Sequence, residues 1–189
     1  MSLPQERNIP PGKDRLLEIA IEAARCGGRV ILDNLGSISE KDISVKQTSD
    51  FVTQVDRESE QEIIATIKTH FPDHSFLAEE SEKDLQTDGY RWIIDPLDGT
   101  TNYIHGYPAF SISIALEYRR EILLGVILDP LRDEVFIGEK GRGAFLNGER
   151  LQVSRVDSPG DALIATGFPF RRKEMTEDTL NFSETSSRR

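Results

Sequence analysis

The 189-residue sequence has little cysteine, little basic charge and no long apolar run. Its single cysteine, Cys26, excludes an intramolecular disulfide and every multi-cysteine zinc site, which fits a reducing cytoplasm. Lys and Arg number 23 against 33 Asp and Glu, so a nucleic-acid surface, which needs clustered basic residues, is not expected. No run approaches the roughly 18 to 20 apolar residues that cross a bilayer. We therefore expect a cytoplasmic protein with neither membrane nor nucleic acid as a partner.

Histidine is also scarce, and the three histidines do not form a metal motif. His70 and His74 are four residues apart, but Pro72 between them interrupts the helix that would align their side chains. We expect both, and also His105, to be surface or helix-capping residues. The sequence gives no indication of a histidine-ligated zinc site.

The most informative stretch that is present is RWIIDPLDGTTNY, residues 91–103. Its apolar start predicts a buried strand, so Asp95 is expected where the sheet stops and the chain turns. Pro96 stiffens this turn, and Asp98 supplies a second carboxylate. Gly99 allows the backbone to approach a ligand closely.

The residues after this turn favour an anion site. Thr100, Thr101 and Asn102 are suited to opening a short helix whose backbone N–H groups would face an anion. Two carboxylates, a carbonyl group and a phosphate together suit Mg²⁺, which prefers hard oxygen ligands. The stretch therefore predicts metal-assisted hydrolysis of a phosphate ester.

An ordinary polar turn is the alternative interpretation, because Asp, Gly, Pro and Asn are the commonest turn residues. The longer string DPLDGTTNY is far more specific. It closely resembles the first metal-binding motif of the inositol monophosphatase family, the Mg²⁺-dependent, lithium-sensitive phosphatases. Further similar segments follow the family's order and extend the resemblance over roughly residues 14–170: SDFVTQVD (49–56), HSFLAEES (74–81), GYPAFSISIAL (106–116), GVILDP (125–130) and GRGAFLNGERLQVS (141–154).

The resemblance implies a metal site at the DPLDG motif. It implies that Glu79, Asp95 and the Leu97 carbonyl bind a first Mg²⁺. Asp95 would also bridge to a second metal ion, which Asp98 holds in part. Glu80 would be an outer contact of the metal.

The resemblance also implies catalytic and substrate-binding roles. Glu79 and Thr100 would orient and deprotonate a metal-bound water, and Asp50 would hydrogen-bond Thr100. The Gly99 and Thr100 N–H groups would hold the phosphate. The residues expected to contact substrate are Glu79, Leu97, Asp98, Gly99 and Thr100.

Glu79 and Glu80 on their own would be interpreted as charges of a solvated loop. The apolar strand before them changes this expectation, because adjacent residues of a strand point to opposite faces. Only one of the two carboxylates can then face Asp95. Asp50 alone is likewise more typical of a turn, and its place before Phe51-Val52-Thr53 is what favours a role.

The function that the resemblance implies is hydrolysis of inositol 1-phosphate to inositol and phosphate by a metal-activated water. Two alternatives stay open: a related phosphatase of a small substrate such as a bisphosphorylated nucleoside or sugar, and a non-catalytic remnant that binds metal or a partner protein. Complete family members continue into a second domain with a Trp-Asp motif, and are expected to be homodimers. The only tryptophan here is Trp92, so we expect that the C-terminal part is lacking.

Hydrophobic periodicity predicts an α+β domain, helices packed on a largely antiparallel sheet, matching the first part of the family's layered α/β/α/β/α fold. A helix over about 14–35 would bury Leu17, Ile21, Ala24, Gly28, Ile31 and Leu35, with a close partner at Gly27-Gly28. A second helix would span about 56–70 and bury Ile63, Ile64 and Ile67. Strands are expected at 110–118, 122–128, 134–139, 143–147 and 150–154, the last two joined by an Asn147-Gly148 turn. The predicted divisions are a flexible lead-in (1–13), the family-like domain (14–170) and an irregular tail (171–189).

Overall fold

The computed structural model describes residues 13–36, 43–47, 50–79 and 89–164. These fall into two compact units, the described residues of Met1–Ser44 and Phe51–Leu151 in the first and those of Val45–Asp50 and Gln152–Arg189 in the second. The lead-in, apart from Lys13, and the tail that the sequence predicts lie outside the described residues.

The elements follow one another as helices and strands of a mixed α+β fold, which confirms the predicted fold class. The helices are α1 (Lys13–Asp33), α2 (Gln54–His70) and α3 (Thr100–Ile104). The strands are β1 (Ile43–Gln47), β2 (Asp50–Thr53), β3 (Ser75–Ala78), β4 (Tyr90–Asp98), β5 (Ser111–Tyr118), β6 (Glu121–Asp129), β7 (Glu134–Glu139), β8 (Gly143–Leu146) and β9 (Glu149–Arg150).

The main sheet has seven strands in the order β3-β4-β5-β6-β7-β8-β9, and β1 and β2 form a separate two-stranded sheet. From β4 to β9 every neighbouring pair is antiparallel, as predicted. The exception is β3, which pairs with β4 in parallel. Because β3 and β4 run in the same direction, their C-terminal ends lie at the same edge of the sheet.

The hydrophobic core lies between the sheet and helices α1 and α2. Alternate residues of the central strands face it, including Trp92, Ile112 and Val126, which are fully buried. Helix α2 contributes Ile63, Ile64 and Ile67, as its periodicity predicts. The core therefore supports β4, the strand that carries the start of the DPLDG motif, and its neighbour β5.

Helix α1 buries a face that matches the predicted one only in part, since Ala24, Gly28 and Ile31 are buried as predicted. The predicted Leu17 and Ile21 are only partly buried and Leu35 is exposed. The buried residues are Leu16, Ile19, Ala20, Ala23, Ala24 and Ile31. Leu17 and Ile21 directly follow the buried Leu16 and Ala20, so periodicity alone placed the stripe about one residue away in the first half of the helix.

The pair Gly27-Gly28 has the close packing that the sequence suggested. A Cβ atom at Gly27 would lie 2.7 Å from the Ser59 Oγ and 2.8 Å from Ile63 side-chain atoms. At Gly28 it would lie 2.9 Å from the Leu128 Cδ2. The two glycines let α1 approach α2 on one side and the sheet on the other.

The hairpin at Asn147-Gly148 is confirmed, since both residues have positive φ, 48° and 86°, as a type I′ turn requires. The strand predicted for 150–154 is wrong, because β9 ends at Arg150. The Leu151 N–H still bonds the Ala144 carbonyl, but Val153 is 93% exposed. Among the described residues, no helix is long and apolar enough to cross a membrane.

We predict that Gly27→Ala destabilises the protein by about 1 kcal/mol. The gain in helix propensity is about 1 kcal/mol, whereas overpacking against the fully buried Ser59 and Ile63 costs about 1–3 kcal/mol. Gly138→Ala in β7 is the control, because its new methyl group meets nothing within 4 Å. Urea unfolding of the two variants measures the difference, and equal stabilities would show that the helix contact can relax.

Candidate metal and phosphate site

Glu79 and Asp95 lie side by side because of the parallel register of β3 and β4. Ala78 is the partner of Ile94, and the Glu79 N–H continues this pairing by donating to the Ile94 carbonyl at 3.3 Å. The next residue of each strand is therefore a carboxylate on the same side of the sheet. Asp95 is half-buried, whereas Glu79 is exposed.

The sequence predicted that the strand stops at Asp95. Strand β4 instead continues to Asp98. Pairing with β5 is regular up to Asp95 opposite Ser113 and resumes at Asp98 opposite Ser111, with an irregularity between them. Pro96 lies within this bulge, where its missing N–H removes no ladder bond. The bulge separates the two aspartates while keeping both on one rigid strand.

The bulge is fixed by hydrogen bonds from both sides. The buried Ser59 of α2 donates its hydroxyl to the Pro96 carbonyl at 3.2 Å. The Leu97 N–H donates to the Asp95 Oδ1 at 3.2 Å, and the Thr100 hydroxyl donates to the Leu97 carbonyl at 2.9 Å. These bonds set the orientation of the Asp95 carboxylate and of the Leu97 carbonyl.

Gly99 precedes helix α3 in the left-handed conformation, with φ of 91°. A side chain there would place its Cβ 2.9 Å from the Ala109 carbonyl and 3.2 Å from the Phe110 Cα. Only glycine satisfies both the positive φ and this close approach. The expected short helix begins at Thr100, and its first N–H groups have no partner within the helix.

The carboxylates of Glu79 and Asp98 are close enough to Asp95 to affect its ionisation. Burial, followed by the charges of Glu79 and Asp98, raises the pKa of Asp95 from 3.8 to about 6. The hydrogen bond from the Leu97 N–H acts in the opposite direction. Because the folded-state pKa is elevated, ionisation of Asp95 costs the folded protein free energy as the pH rises through about 6.

These donors fit a hydrated magnesium ion. All of them are oxygen atoms, and a cation would offset the repulsion that raises the pKa of Asp95. Within the described ranges no three His, Cys, Asp or Glu side chains already form a metal cage. Mg²⁺ is commonly held by one or two carboxylates with waters and phosphate oxygens completing its shell, so Glu79, Asp95 and the Leu97 carbonyl are sufficient in kind.

The side chains of two predicted site residues, Asp50 and Glu80, are outside the part of the chain that the structure describes. Asp50 opens β2, but the part of the chain that the structure describes includes only its backbone. Glu80 lies outside the described residues. The contact of Asp50 with Thr100 and the outer role of Glu80 remain predictions.

Sequence reasoning was wrong about His74. It is neither a cap nor a surface residue, since it lies half-buried between Phe71 and Tyr90 and accepts a hydrogen bond from Trp92. The available signal was Trp92 itself, because a tryptophan in a buried strand needs an acceptor for its indole N–H. His70 is partly exposed and His105 is exposed, each at a helix end.

The fold and the site define a class of α+β domain in which a strand delivers two aspartates to the start of a short helix at a sheet edge. The chain belongs to the inositol monophosphatase family, whose model matches residues 13–189.

Individual relatives carry several names. The chain is 44% identical over 163 residues to Nus factor SuhB of Pseudomonas aeruginosa, covering 85% of this chain and 60% of that protein. It is 40% identical over 167 residues to the fructose-1,6-bisphosphatase/inositol-1-monophosphatase of Aquifex aeolicus, covering 88% and 63%. The crystal structure of extragenic suppressor protein suhB from Bartonella henselae superposes with a TM-score of 0.79 at 40% identity, covering 86% of this chain and 63% of that chain. The chain thus spans about three fifths of the length of the curated relatives it matches.

We predict that Asp95→Asn stabilises the metal-free protein at pH 7. The amide keeps an acceptor for the Leu97 N–H but removes a charge that Glu79 and Asp98 repel. The gain should be about 1 kcal/mol or less, because solvent screens a half-exposed carboxylate. Chemical unfolding with a chelator present should show the gap shrinking as the pH falls from 7 to 4. A variant less stable than wild type at pH 7 would contradict the electrostatic account.

Proposed function

We propose that the protein is a Mg²⁺-dependent phosphatase that hydrolyses inositol 1-phosphate to inositol and phosphate. The observation that carries this proposal is the pairing of Glu79 with Asp95 beside the start of α3. Family membership supports phosphate-ester hydrolysis, and the name of the Aquifex relative supports this substrate. The single cysteine and the acidic composition suit a cytoplasmic enzyme that acts on a small molecule, with a homodimer as the proposed assembly.

Bound magnesium supplies a water of lowered pKa and neutralises charge on the departing oxygen. Glu79, Asp95 and the Leu97 carbonyl would hold a first ion, while Asp98 with Asp95 would contribute to a second. Since Asp95 and Asp98 belong to one strand, the bulge between them sets their spacing. No covalent phosphoenzyme is required.

The start of α3 provides the remaining groups. The Gly99 and Thr100 N–H groups hold the phosphate, where the helix dipole favours negative charge. The Thr100 hydroxyl donates its hydrogen bond to the Leu97 carbonyl. Its oxygen can therefore still accept a hydrogen bond from the attacking water. As the family resemblance implies, Glu79 would accept the proton of that water and Asp50 would orient Thr100.

A sugar bisphosphate is the second candidate substrate. The Aquifex relative's name includes both fructose-1,6-bisphosphatase and inositol-1-monophosphatase. Two such activities favour a site that recognises the phosphate group of the substrate more strictly than its alcohol part. Phosphate release from inositol 1-phosphate and from fructose 1,6-bisphosphate, assayed side by side with Mg²⁺ and with a chelator, ranks the two. No Mg²⁺-dependent release from either would favour a protein that only binds metal or a partner.

Magnesium should stabilise the protein through Glu79 and Asp95. At free Mg²⁺ ten times its Kd, the expected gain in unfolding free energy is about 1.4 kcal/mol. Asp95→Asn should remove this gain, while Glu22→Gln, an exposed change on α1, should retain it. Thermal unfolding over a Mg²⁺ titration measures the effect. A gain of equal size in wild type and Asp95→Asn would place the metal elsewhere.

Thr100→Ala should lower kcat by about 10²-fold with little change in KM, because the hydroxyl acts on the water rather than on the bound substrate. Thr100→Ser keeps the hydroxyl and should recover most of the rate. Thr101→Ala, on the exposed neighbour in the same helix, is the matched control. Steady-state kinetics at saturating Mg²⁺ separate the two parameters, and a loss confined to KM would exclude the proposed role.

A further inference from the structure

Strand β3 is an edge strand of four residues that pairs only with β4 within the described sheet. A strand this short has few ladder bonds, yet it carries Glu79 directly after its last residue. Because side chains alternate between faces, a slip of one residue would turn Glu79 away from Asp95. The geometry of the carboxylate pair therefore depends on how firmly the register of β3 is held.

The opposite end of β3 begins directly after His74, which is tied to β4. The Trp92 indole N–H donates to the His74 Nδ1 at 3.0 Å, and Trp92 is fully buried. The imidazole stacks on Phe71, with centroids 4.7 Å apart and planes 7° apart, and on Tyr90 at 4.7 Å and 24°. The ring is thus fixed in position and its Nδ1 is committed as an acceptor.

The charge state of His74 agrees with this role. Burial lowers its pKa, and the neighbouring carboxylate of Asp73 only partly opposes the shift. The neutral ring then carries its proton on Nε2 and leaves Nδ1 free to accept. Trp92 also pairs with Phe76 of β3 in the parallel register. The hydrogen bond between Trp92 and His74 thus ties β4 to the residue that directly precedes β3.

We propose that His74 is a positioning residue: its hydrogen bond with Trp92 holds β3 in register and so keeps Glu79 beside Asp95. The proposal rests on the metal site described above for its functional consequence, but the register itself can be measured without metal. His74 precedes Glu79 by about five residues and acts on the site through strand β3. It touches neither metal nor substrate.

Two substitutions separate the hydrogen bond from the stacking. His74→Phe retains an aromatic ring but loses the acceptor, whereas His74→Asn loses the ring but places its Oδ1 at the same number of bonds from the backbone as Nδ1. Trp92→Phe removes the donor and tests the bond from the other side. Asn147→Ala is the control for stability alone, because it disturbs the β7–β8 hairpin by removing the side-chain bonds to Val135 N–H and the Asp133 carbonyl.

The first readout is hydrogen exchange of the Glu79 amide, which bonds the Ile94 carbonyl, in metal-free protein. We expect exchange roughly fivefold faster in His74→Phe and Trp92→Phe, near the wild-type rate in His74→Asn, and no selective change in Asn147→Ala. The second readout is calorimetric Mg²⁺ binding, which should weaken about tenfold in the first two variants only. Emission of Trp92, the only tryptophan, reports loss of the bond in His74→Phe.

Faster exchange in His74→Asn with a normal rate in His74→Phe would overturn the proposal, because stacking rather than the bond would then hold the strand. Equal acceleration in Asn147→Ala would also overturn it, by showing a general loss of stability. If His74→Phe does not fold, Trp92→Phe and His74→Asn give the same comparison. Wild-type protein that binds no Mg²⁺ would refute the metal site, while the exchange rates would still decide the role of His74.

Discussion

The parallel pairing of β3 with β4 is the constraint on which the rest of the site depends. It brings Glu79 next to Asp95, where burial and then the charges of Glu79 and Asp98 raise the pKa of Asp95. Such an arrangement is unfavourable in the folded protein without a cation. The fold therefore maintains a local electrostatic cost, and a bound metal ion is what would offset it.

The surrounding structure explains how this cost is tolerated. Helix α2 packs against β4, and its buried Ser59 holds the Pro96 carbonyl of the bulge. Gly27 of α1 leaves the space that Ser59 occupies, so the packing of the two helices extends to the strand that carries both aspartates. Rigid support from a hydrophobic core keeps the two carboxylates close, whereas carboxylates on isolated loops would move apart.

Local chemistry made the DPLDG motif, helix α2 and the Asn147-Gly148 turn predictable, because each depends on a few neighbouring residues. The buried face of α1 was predicted only in part, since flanking apolar residues blur the stripe and the packing of α2 and the sheet decides which side is covered. The role of His74 could not be read from spacing, because its partner Trp92 is brought to it by strand pairing.

The central claim is that Glu79 and Asp95 act together on one cation. A double-mutant cycle with Glu79→Gln, Asp95→Asn and the double variant, measured as the affinity for Mg²⁺ by calorimetry, tests it most directly. Each single change should remove most of the binding, and the double variant should be little weaker than either, so that the free energies are strongly non-additive. Independent, additive losses, or unchanged affinity in either single variant, would contradict a shared metal site.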